Sequence, residues 1–317
     1  MQAVFLDVDS IGGDIDLSPL EQSGLTWQYF DTLDRPSVQA RINNAEVVIS
    51  NKLPLDRATL QACPSLKLIC ISATGTDNVD LEAAREQGIY VCNARAYATA
   101  SVVQHVFTLI LALNRRLPQY QYAARTGEWQ KSPFFCMLDF PIEELNGQTL
   151  GIVGYGELGQ GVEKLAHAFG MRTLIAESLT QKKQSGRMPL KQLLSEADVI
   201  SLHCPLTQES RNLISTAEFE CMKPNALLIN TARGGIVDEH ALVRALEENR
   251  IAGAALDVLE HEPPNDQQAL LTCQHPNLII TPHIAWAGRQ ARQTLIQQVA
   301  DSIAAFLEGE AVPRRVC

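Results

Sequence analysis

Short apolar runs alternate with segments of helical spacing along most of this chain. In the first hundred residues, β-rich runs predict strands at 4–8, 47–50, 68–72 and 89–92. Helical patterns lie between some of these runs, near 56–61 and 80–87. Strands that alternate with helices form parallel sheets with helices on their faces, so this region is predicted to be an α/β domain.

A second strand–helix series opens at Thr149. Its strands are predicted at 150–153, 173–176, 199–203, 227–230, 253–257 and 278–281, and a last helix is predicted over 288–307. Between the two series a helical pattern covers 100–117, and its apolar positions occupy more than one stripe, which predicts burial on more than one side. The segment 119–139, which is polar and aromatic, is predicted to be an arm or a loop.

A glycine loop directly follows the strand at 150–153. Gly154, Gly156 and Gly159 enclose Glu157 and Leu158, and a helical pattern follows over 162–169. The first glycine allows a tight turn, the second lets the backbone approach a pyrophosphate, and the third allows close packing of helix and strand. The N-terminus of the helix offers free N–H groups to the phosphates. This order predicts a dinucleotide site formed by these five residues.

Glu177, at the end of the next predicted strand, bears on the choice of dinucleotide. Its carboxylate is expected to accept hydrogen bonds from the adenosine ribose hydroxyls and to repel a 2′-phosphate, which favours NAD (NADH) over NADP. Lys182 and Lys183 lie close enough in sequence to keep NADP use open. The alternative is that Glu177 is an ordinary solvated carboxylate at a strand end.

Composition narrows the range of partners. The 317 residues carry a formal net charge of −10, which argues against nucleic acid or an anionic membrane, because either would need clustered Lys and Arg. The N-terminus does not have the pattern of a signal peptide, and no apolar run is long enough to span a bilayer. The eight scattered cysteines form no CxxC pair, so they are expected to be mostly buried free thiols in a reducing compartment, the cytoplasm.

Several motifs occur in the order that one enzyme family shows. They are Gly-Thr-Asp-Asn-Val-Asp at 75–80, Ser-Val-Val-Gln-His at 101–105, the glycine loop, His-Cys-Pro-Leu-Thr at 203–207, Ile-Asn-Thr-Ala-Arg-Gly-Gly at 229–235, Asp-Val at 257–258 with Glu-Pro at 262–263, and Thr-Pro-His at 281–283. By these motifs the chain resembles the D-isomer-specific 2-hydroxyacid dehydrogenases over nearly its whole length. The stretches 128–130, 135–139 and 284–287 further resemble the glycerate dehydrogenases, or hydroxypyruvate reductases, of that family.

The resemblance implies an α/β fold of two doubly wound parallel-sheet domains. A Rossmann nucleotide-binding domain over 100–286 would be inserted into a flavodoxin-like substrate domain formed by 1–99 plus 287–317. The ligand cleft is expected between these domains. The family usually dimerises through the nucleotide domain, and the apolar helix at 102–113 needs burial, so a homodimer is expected.

Hydride transfer to a 2-keto acid needs a cation for the carboxylate, a proton donor for the forming alkoxide, and a partner that keeps the donor charged. Arg233 offers a planar fork that can pair a carboxylate and polarise the keto oxygen. His283 is the natural acid and base, and Glu262 would accept its other ring N–H and hold the imidazolium. Singly, the three have simpler interpretations as a surface charge, a packed histidine and a loop acid. All three follow strands of the second series, where ligands bind, and they stand in the order of the family's motifs, so the resemblance implies that they are catalytic.

Position and resemblance imply further contacts. Ala73, Thr74 and Gly75 follow a strand of the first domain, and their backbone N–H groups are expected to bind the substrate carboxylate; the alternative is an ordinary strand-to-helix turn. Asp257 is expected to face the nicotinamide carboxamide, or else to be a buried structural acid. His105 is expected to be structural, and no metal site is expected because no Cys and His residues have tetrahedral ligand spacing. The other residues expected to line the cofactor are Val103, His203, Cys204, Pro205, Thr231 and Ala232, together with Arg233 and His283.

Several alternative activities must be weighed against this set of motifs. A phosphoglycerate enzyme would need a further basic site and often a regulatory domain, and a formate dehydrogenase would be expected to carry Gln in place of Glu262. D-lactate and glyoxylate reductases share the motifs, because pocket shape decides between them. A non-catalytic NAD-sensing protein is free to lose its catalytic residues, yet all three are present. A small 2-keto or 2-hydroxy acid is therefore the expected substrate, with hydroxypyruvate preferred and with Lys52 and Asn51 as candidate contacts of its C3 hydroxyl.

Overall fold

The structure of the chain, a computed structural model, describes residues 1–32, 35–179, 184–266 and 268–317. Lys182 and Lys183, which bear on NADP use, lie outside the described residues. Contacts within the chain define two compact units. Unit 1 consists of Met1–Ala98 and Trp286–Cys317, and unit 2 is Thr99–Ala285. Each unit has its own parallel sheet and its own apolar core.

The sheet of unit 1 has five parallel strands. They are β1 (Gln2–Phe5), β2 (Thr26–Tyr29), β3 (Val47–Ser50), β4 (Leu68–Ile71) and β5 (Tyr90–Cys92). Their order in the sheet is β2-β1-β3-β4-β5, which is the order of flavodoxin-like domains. Every residue of β3 and β4 is buried, as expected for central strands that are covered on both faces.

Among its described residues this unit has five helices, besides a 3-10 helix at Val8–Ile11. They are α1 (Ser18–Glu21), α2 (Arg35–Ile42), α3 (Arg57–Gln61), α4 (Leu81–Glu86) and the C-terminal α12 (Arg289–Glu308). Asp56 and Asp80 cap α3 and α4, because each carboxylate accepts a hydrogen bond from the backbone N–H three residues later. Helix α12 buries Leu295, Ile296 and Ile303 in the core of the unit.

The sheet of unit 2 has six parallel strands. They are β6 (Thr149–Val153), β7 (Arg172–Ile175), β8 (Val199–Leu202), β9 (Leu227–Asn230), β10 (Gly253–Leu256) and β11 (Leu278–Ile280). Their order is β11-β10-β9-β8-β6-β7, so the chain returns from β7 to add β8 on the other side of β6. Ligands of doubly wound sheets bind outside the carboxyl ends of the strands at such a switch point.

Helices cover both faces of this second sheet. They are α5 (Thr99–Asn114), α6 (Leu117–Arg125), α7 (Glu157–Ala168), α8 (Leu190–Glu196), α9 (Thr216–Cys221), α10 (Glu239–Glu247) and α11 (Ala269–Thr272), with a 3-10 helix at Trp129–Lys131. Helix α5 packs against α7, β9 and β10, and Val106, Phe107 and Ile110 are buried. The chain itself therefore buries much of the apolar surface of α5.

Two doubly wound parallel-sheet domains confirm the predicted fold class. Three details of the prediction are wrong. The first strand ends at Phe5 instead of residue 8, because a 3-10 helix begins at Val8. The helical pattern over 100–117 is interrupted by Arg116, whose φ of 52° is left-handed, and α6 then occupies the start of the segment predicted to be an arm or loop. The edge strand β2 lacks a fully buried face and has no apolar run to reveal it.

The cysteines match their prediction only in part. All eight are free, but only Cys63, Cys70, Cys92 and Cys204 are buried, whereas the other four are partly exposed. No helix in the described ranges is long and apolar enough to cross a bilayer. Those same ranges hold no group of three His, Cys, Asp or Glu side chains placed to bind a metal ion.

Candidate active site

The glycine loop turns sharply at the carboxyl end of β6. Gly154 has a φ of +96°, and a Cβ at this position would lie 2.4 Å from the backbone nitrogen of Cys204. A Cβ on Gly159 would lie 2.3 Å from the carbonyl oxygen of Gly154. Only glycine tolerates both approaches, so these two residues hold β6, α7 and the loop after β8 close together.

The surroundings of this loop fit a dinucleotide. A Cβ on Gly156 would meet nothing within 4 Å, so there is open space beside the backbone at this position. Gly156 precedes α7, and no side chain caps that helix, which leaves its first N–H groups to a ligand. The carboxylate of Glu157 accepts a hydrogen bond from Thr99, and Val103 of α5 packs against α7 at Gly161. Leu158 is partly buried in the first turn.

The ends of β8 and β9 carry two buried polar atoms. The register pairs Leu202 with Asn230, so His203 and Thr231 follow at neighbouring strand ends. Neither His203 Nδ1 nor Thr231 Oγ1 has a hydrogen-bond partner in the described part of the chain. The other ring nitrogen, His203 Nε2, lies 2.8 Å from Ser201 Oγ. Unpaired buried polar atoms are costly, so their presence beside the glycine loop is consistent with a ligand that supplies partners.

Burial shifts the pKa values of His203 and Cys204, the two residues that follow β8. It lowers the pKa of His203 to about 4, so the imidazole is neutral at neutral pH. Burial also raises the pKa of the Cys204 thiol, which keeps it protonated. Pro205, the next residue, is exposed. Neither His203 nor Cys204 is therefore suited to acid–base or nucleophilic chemistry.

Glu177 lies just beyond β7, where its backbone N–H donates to the carbonyl of Met188 at 2.8 Å. Its side chain is partly buried. In doubly wound folds an acid at this strand end binds the adenosine ribose. Glu177 follows β7 and therefore has the position in the chain that this role requires.

Arg233 lies in a loop that Asn230 shapes. Asn230 Oδ1 accepts the N–H of Ala232, its Nδ2 donates to the carbonyl of Arg233, and both distances are 3.0 Å. One guanidinium nitrogen of Arg233 donates to the carbonyl of Ala232 at 2.7 Å. A Cβ on Gly234 would lie 1.8 Å from the carbonyl oxygen of Leu259. The absence of a side chain there lets the Arg233 loop pack against the loop that contains Glu262.

Glu262 and His283 form a direct pair. His283 Nδ1 lies 2.6 Å from Glu262 Oε2, while the N–H of Leu259 donates to Glu262 Oε1 at 2.8 Å. The two side chains are 34% and 33% exposed, respectively. Because a carboxylate only accepts hydrogen bonds, Nδ1 of His283 carries a proton in this contact. The imidazole is thereby fixed in one tautomer and one orientation.

Asp257 supports the loop that carries His283. It is 1% exposed, and its Oδ1 accepts from Thr281 Oγ1 at 2.6 Å and from the N–H of Ile284 at 2.9 Å. Its Oδ2 accepts from the N–H of Ala285 at 2.8 Å. This arrangement favours the structural alternative for Asp257, and its contact with a nicotinamide carboxamide stays a prediction.

In unit 1 the loop after β4 carries the predicted carboxylate-binding residues. The carbonyl of Ala73 accepts from the N–H of Ala94 at 2.9 Å, and the carbonyl of Thr74 accepts from Asn93 Nδ2 at 2.7 Å. In the described ranges no hydrogen bond uses the N–H groups of Ala73, Thr74 or Gly75. The loop thus has its acceptors engaged and its donors available to an anion.

The loop after β3 holds Asn51 and Lys52. The buried carboxylate of Asp7 accepts their backbone N–H groups at 2.9 and 2.7 Å. Asn51 Nδ2 donates to Ser10 Oγ at 3.0 Å, and Asn51 is only 4% exposed, whereas Lys52 is exposed. Lys52 is therefore the more accessible of the two candidates for contact with a substrate.

Asp7, Asn230 and Thr281 shape these loops without having been given a role from the sequence. Each is a polar residue at or just beyond the end of an apolar strand, and the first two are almost fully buried. A buried polar side chain needs partners, and loop backbone groups supply them here. That pattern, a polar residue closing an apolar run, is the signal by which they could have been found.

The fold of unit 2 and its glycine loop define a dinucleotide-binding oxidoreductase domain. The family model described as D-isomer specific 2-hydroxyacid dehydrogenase, NAD binding domain, matches residues 107–285. The chain belongs to the D-isomer-specific 2-hydroxyacid dehydrogenase family, and NAD is its cofactor. The resemblance predicted from the motifs is therefore confirmed.

Known members of the family are similar over nearly the full chain. A glycerate dehydrogenase of Methylorubrum extorquens is 44% identical over 89% of this chain and 89% of that protein. A glyoxylate reductase of Thermococcus litoralis is 41% identical over 83% of this chain and 80% of that protein. The solved structure of a D-lactate dehydrogenase from Aquifex aeolicus, complexed with NAD and lactic acid, matches with a TM-score of 0.85 at 29% identity and covers 99% of both chains.

Proposed function

We propose that the chain reduces hydroxypyruvate to D-glycerate with NADH and catalyses the reverse oxidation. The His283–Glu262 pair carries this proposal. An imidazole whose Nδ1 is held by a carboxylate 2.6 Å away is suited to exchanging one proton at Nε2. NADH, when bound, would supply the hydride for C2 of the substrate, while residues of the chain bind the substrate and move the proton of its C2 oxygen.

His283 serves both directions of this reaction. In reduction its Nε2 donates a proton to the oxygen on C2, and Glu262 stabilises the imidazolium until that transfer. In oxidation the neutral ring removes the same proton from the C2 hydroxyl. The hydrogen bond from Leu259 N–H to Glu262 keeps the carboxylate in place through both steps.

Arg233 and the 73–75 loop are proposed to bind the substrate. The guanidinium pairs the carboxylate and polarises the keto oxygen, so it acts on the ground state and the transition state. The N–H groups of Ala73, Thr74 and Gly75 are proposed as further donors to the carboxylate, because the described chain leaves them without acceptors.

The dinucleotide is proposed to lie along the carboxyl edge of the unit 2 sheet. The glycine loop and the N-terminus of α7 would hold its pyrophosphate, while Thr231 and the 203–205 segment would line its nicotinamide half. Glu177 would bind the adenosine ribose.

Because the Glu177 carboxylate would repel a 2′-phosphate, we expect kcat/KM to be at least about 10-fold higher with NADH than with NADPH, which is about 1.4 kcal/mol. Equal efficiencies, unchanged in Glu177→Ala, would contradict this assignment.

Two observations support hydroxypyruvate as the substrate that we propose. The relative with 44% identity over most of the chain is a glycerate dehydrogenase, and the stretches 128–130, 135–139 and 284–287 resemble that group. A site that hydrogen-bonds a C3 hydroxyl leaves polar groups unpaired when a methyl group replaces it, so pyruvate should be a poorer substrate. Glyoxylate reduction is the second candidate, because a glyoxylate reductase is 41% identical.

A homodimer in the cytoplasm is proposed for the working enzyme. Apolar side chains on the segment 117–138 are strongly exposed: Tyr122 at 71%, Phe134 at 72%, Phe135 at 90% and Leu138 at 80%. Such a cluster on a monomer calls for a protein partner, and a second copy is the simplest one. The eight free cysteines fit a reducing compartment.

The proposal is tested by following NADH oxidation with hydroxypyruvate, glyoxylate, pyruvate and phenylpyruvate. The expected order of kcat/KM is hydroxypyruvate first, glyoxylate accepted, and the other two poorer. Chiral chromatography of the hydroxypyruvate product should show D-glycerate. A clear preference for pyruvate or phenylpyruvate would overturn the substrate assignment and leave the family unchanged.

A further inference from the structure

His105 lies on α5 and contacts the loop after β11. Its Nε2 lies 3.1 Å from Thr281 Oγ1 and 3.5 Å from Asp257 Oδ1. Its side chain is 16% exposed, in a helix whose buried residues are apolar except for Asn114 at its end. The sequence suggested no role for this histidine beyond packing, but its contacts are polar and point toward the strand ends of the site.

The available protons fix the direction of these hydrogen bonds. Thr281 has a single hydroxyl proton, and Oγ1 lies 2.6 Å from the carboxylate oxygen of Asp257, which only accepts. The hydroxyl proton is therefore used in that contact. His105 Nε2 must then be the donor toward Thr281 Oγ1, which requires the proton on Nε2. The donors run in one direction, from His105 through Thr281 to Asp257.

Asp257 connects these hydrogen bonds to the backbone around His283. Its carboxylate accepts the N–H groups of Ile284 and Ala285, the two residues after His283, while its backbone carbonyl accepts the N–H of His283 at 2.9 Å. His283 has a φ of 54°, a left-handed conformation that a histidine adopts only when its surroundings hold it there. The Asp257 contacts surround this strained residue on both sides.

We infer that His105 is a positioning residue for catalysis, which acts through Thr281 and Asp257 to hold the His283 loop. This inference rests on the proposed function, since it requires His283 to be the proton donor. His105 does not touch the reacting atoms. Its effect is to orient Thr281 toward Asp257, so that the carboxylate keeps its hold on the backbone around His283.

The charge state of Asp257 gives this role a measurable pH dependence. Burial alone would raise the pKa of Asp257, but hydrogen bonds from His105, Thr281 and two backbone N–H groups together lower it. The groups around it are His105 on α5, Thr281 and the His283 loop after β11, and beyond them Glu262. Loss of the His105 donor should raise the pKa of Asp257, so the carboxylate would become protonated at a higher pH and lose an acceptor.

The first test compares His105→Leu with His105→Gln. Leucine packs but donates nothing, whereas the glutamine amide can place an N–H near the position of Nε2. With hydroxypyruvate, or whichever keto acid the wild type reduces fastest, we expect His105→Leu to lower kcat about 10-fold. We expect His105→Gln to retain most of it. His240→Gln, on an exposed position of α10, is the matched control and should behave as wild type.

The second readout is the pH profile of kcat. In His105→Leu the acid limb should begin at a higher pH than in the wild type, and in His105→Gln it should stay close to the wild-type position. A histidine that merely fills space would give the opposite pattern, with leucine tolerated and no change in the profile. Thermal melting of each variant separates loss of folding from loss of rate.

A double-mutant cycle with Thr281→Val tests the route. If His105 acts through Thr281 and Asp257, the double variant loses clearly less kcat than the sum of the two single losses. Additive losses, or a wild-type kcat and pH profile in His105→Leu, would overturn the inference. His283→Ala keeps the two proposals apart: if it remains active the proposed function fails, whereas an inactive His283→Ala beside a normal His105→Leu overturns only this inference.

Discussion

Two histidines follow strands of the unit 2 sheet, and their partners differ in kind. His203, after β8, has Nε2 2.8 Å from the hydroxyl of the buried Ser201, and burial lowers its pKa to about 4. His283, after β11, has Nδ1 2.6 Å from the carboxylate of Glu262 and keeps a third of its side chain exposed. The first ring is held neutral, whereas the second is hydrogen-bonded to a carboxylate.

The comparison shows that the partner of a histidine, more than its place at a sheet edge, decides its chemistry. Both residues lie within a family motif and close to a proline, Pro205 for the first and Pro282 for the second. A place beside a proline at a strand end does not by itself distinguish the two rings. A neutral hydroxyl and burial of the ring suit His203 to the cofactor-lining role proposed above, and a carboxylate with solvent access suits His283 to the proposed proton transfer.

The largest expected contrast is in turnover. His283→Ala should lower kcat for keto-acid reduction by about 10²–10⁴-fold, because it removes the proton donor. His203→Gln should keep kcat within about 10-fold of wild type, because a neutral buried ring donates no proton to the substrate. Steady-state kinetics and NADH titration by fluorescence measure both. Similar losses of kcat in the two variants would abolish the distinction.

The next contrast is in stability at acid pH. The pKa of His203 is about 4 in the folded chain, against an ordinary value of 6.5 once the chain unfolds, so the unfolded chain takes up this proton first as pH falls. The stabilisation is complete above the unfolded value and is lost as pH falls toward about 4, at roughly 1.4 kcal/mol per pH unit.

His203→Gln should therefore flatten the loss of unfolding free energy between neutral pH and about pH 5. Urea unfolding at several pH values measures this slope. The exposed His240→Gln is the control and should keep the wild-type slope. A His203→Gln variant that loses stability on acidification as steeply as wild type would show that His203 is not held neutral.

The smallest contrast concerns Ser201, the partner of His203. Ser201→Ala should cost about 1 kcal/mol of unfolding free energy, the usual net value of one buried hydrogen bond. Since Ser201 is fully buried in β8, kcat should stay at the wild-type level. A large loss of kcat with an intact melting temperature would mean that the Ser201–His203 pair takes part in proton transfer.

The fold could be predicted where burial is complete. Central strands such as β3, β4, β6 and β8 are apolar throughout most of their length, because helices cover both faces of their sheets. The edge strand β2 could not be found in this way, since its side chains alternate between exposed and half-buried. The interruption between α5 and α6 at Arg116 depends on a left-handed backbone conformation. No glycine at this position indicates it in the sequence.

The sequence nominates the residues of the candidate site but not the contacts that support them. Arg233, Glu262 and His283 stand out by motif and by place after strands. The close approach of Gly234 to Leu259, and the hold of Asp257 on the backbone around His283, depend on loops that are far apart in sequence. Which groups of these loops donate and accept hydrogen bonds depends on their contacts in three dimensions. The spacing of residues along the sequence does not show those contacts.

The most direct test of the account is the pH profile of Glu262→Gln in both reaction directions. Glutamine keeps the shape of the side chain but removes the negative charge that stabilises protonated His283. Keto-acid reduction needs the protonated ring and should begin to fall at a lower pH than in the wild type. Hydroxy-acid oxidation needs the neutral ring and should become active at a lower pH. We predict that both limbs move toward acid together, and two profiles that stay in their wild-type positions would contradict the pairing of Glu262 with His283.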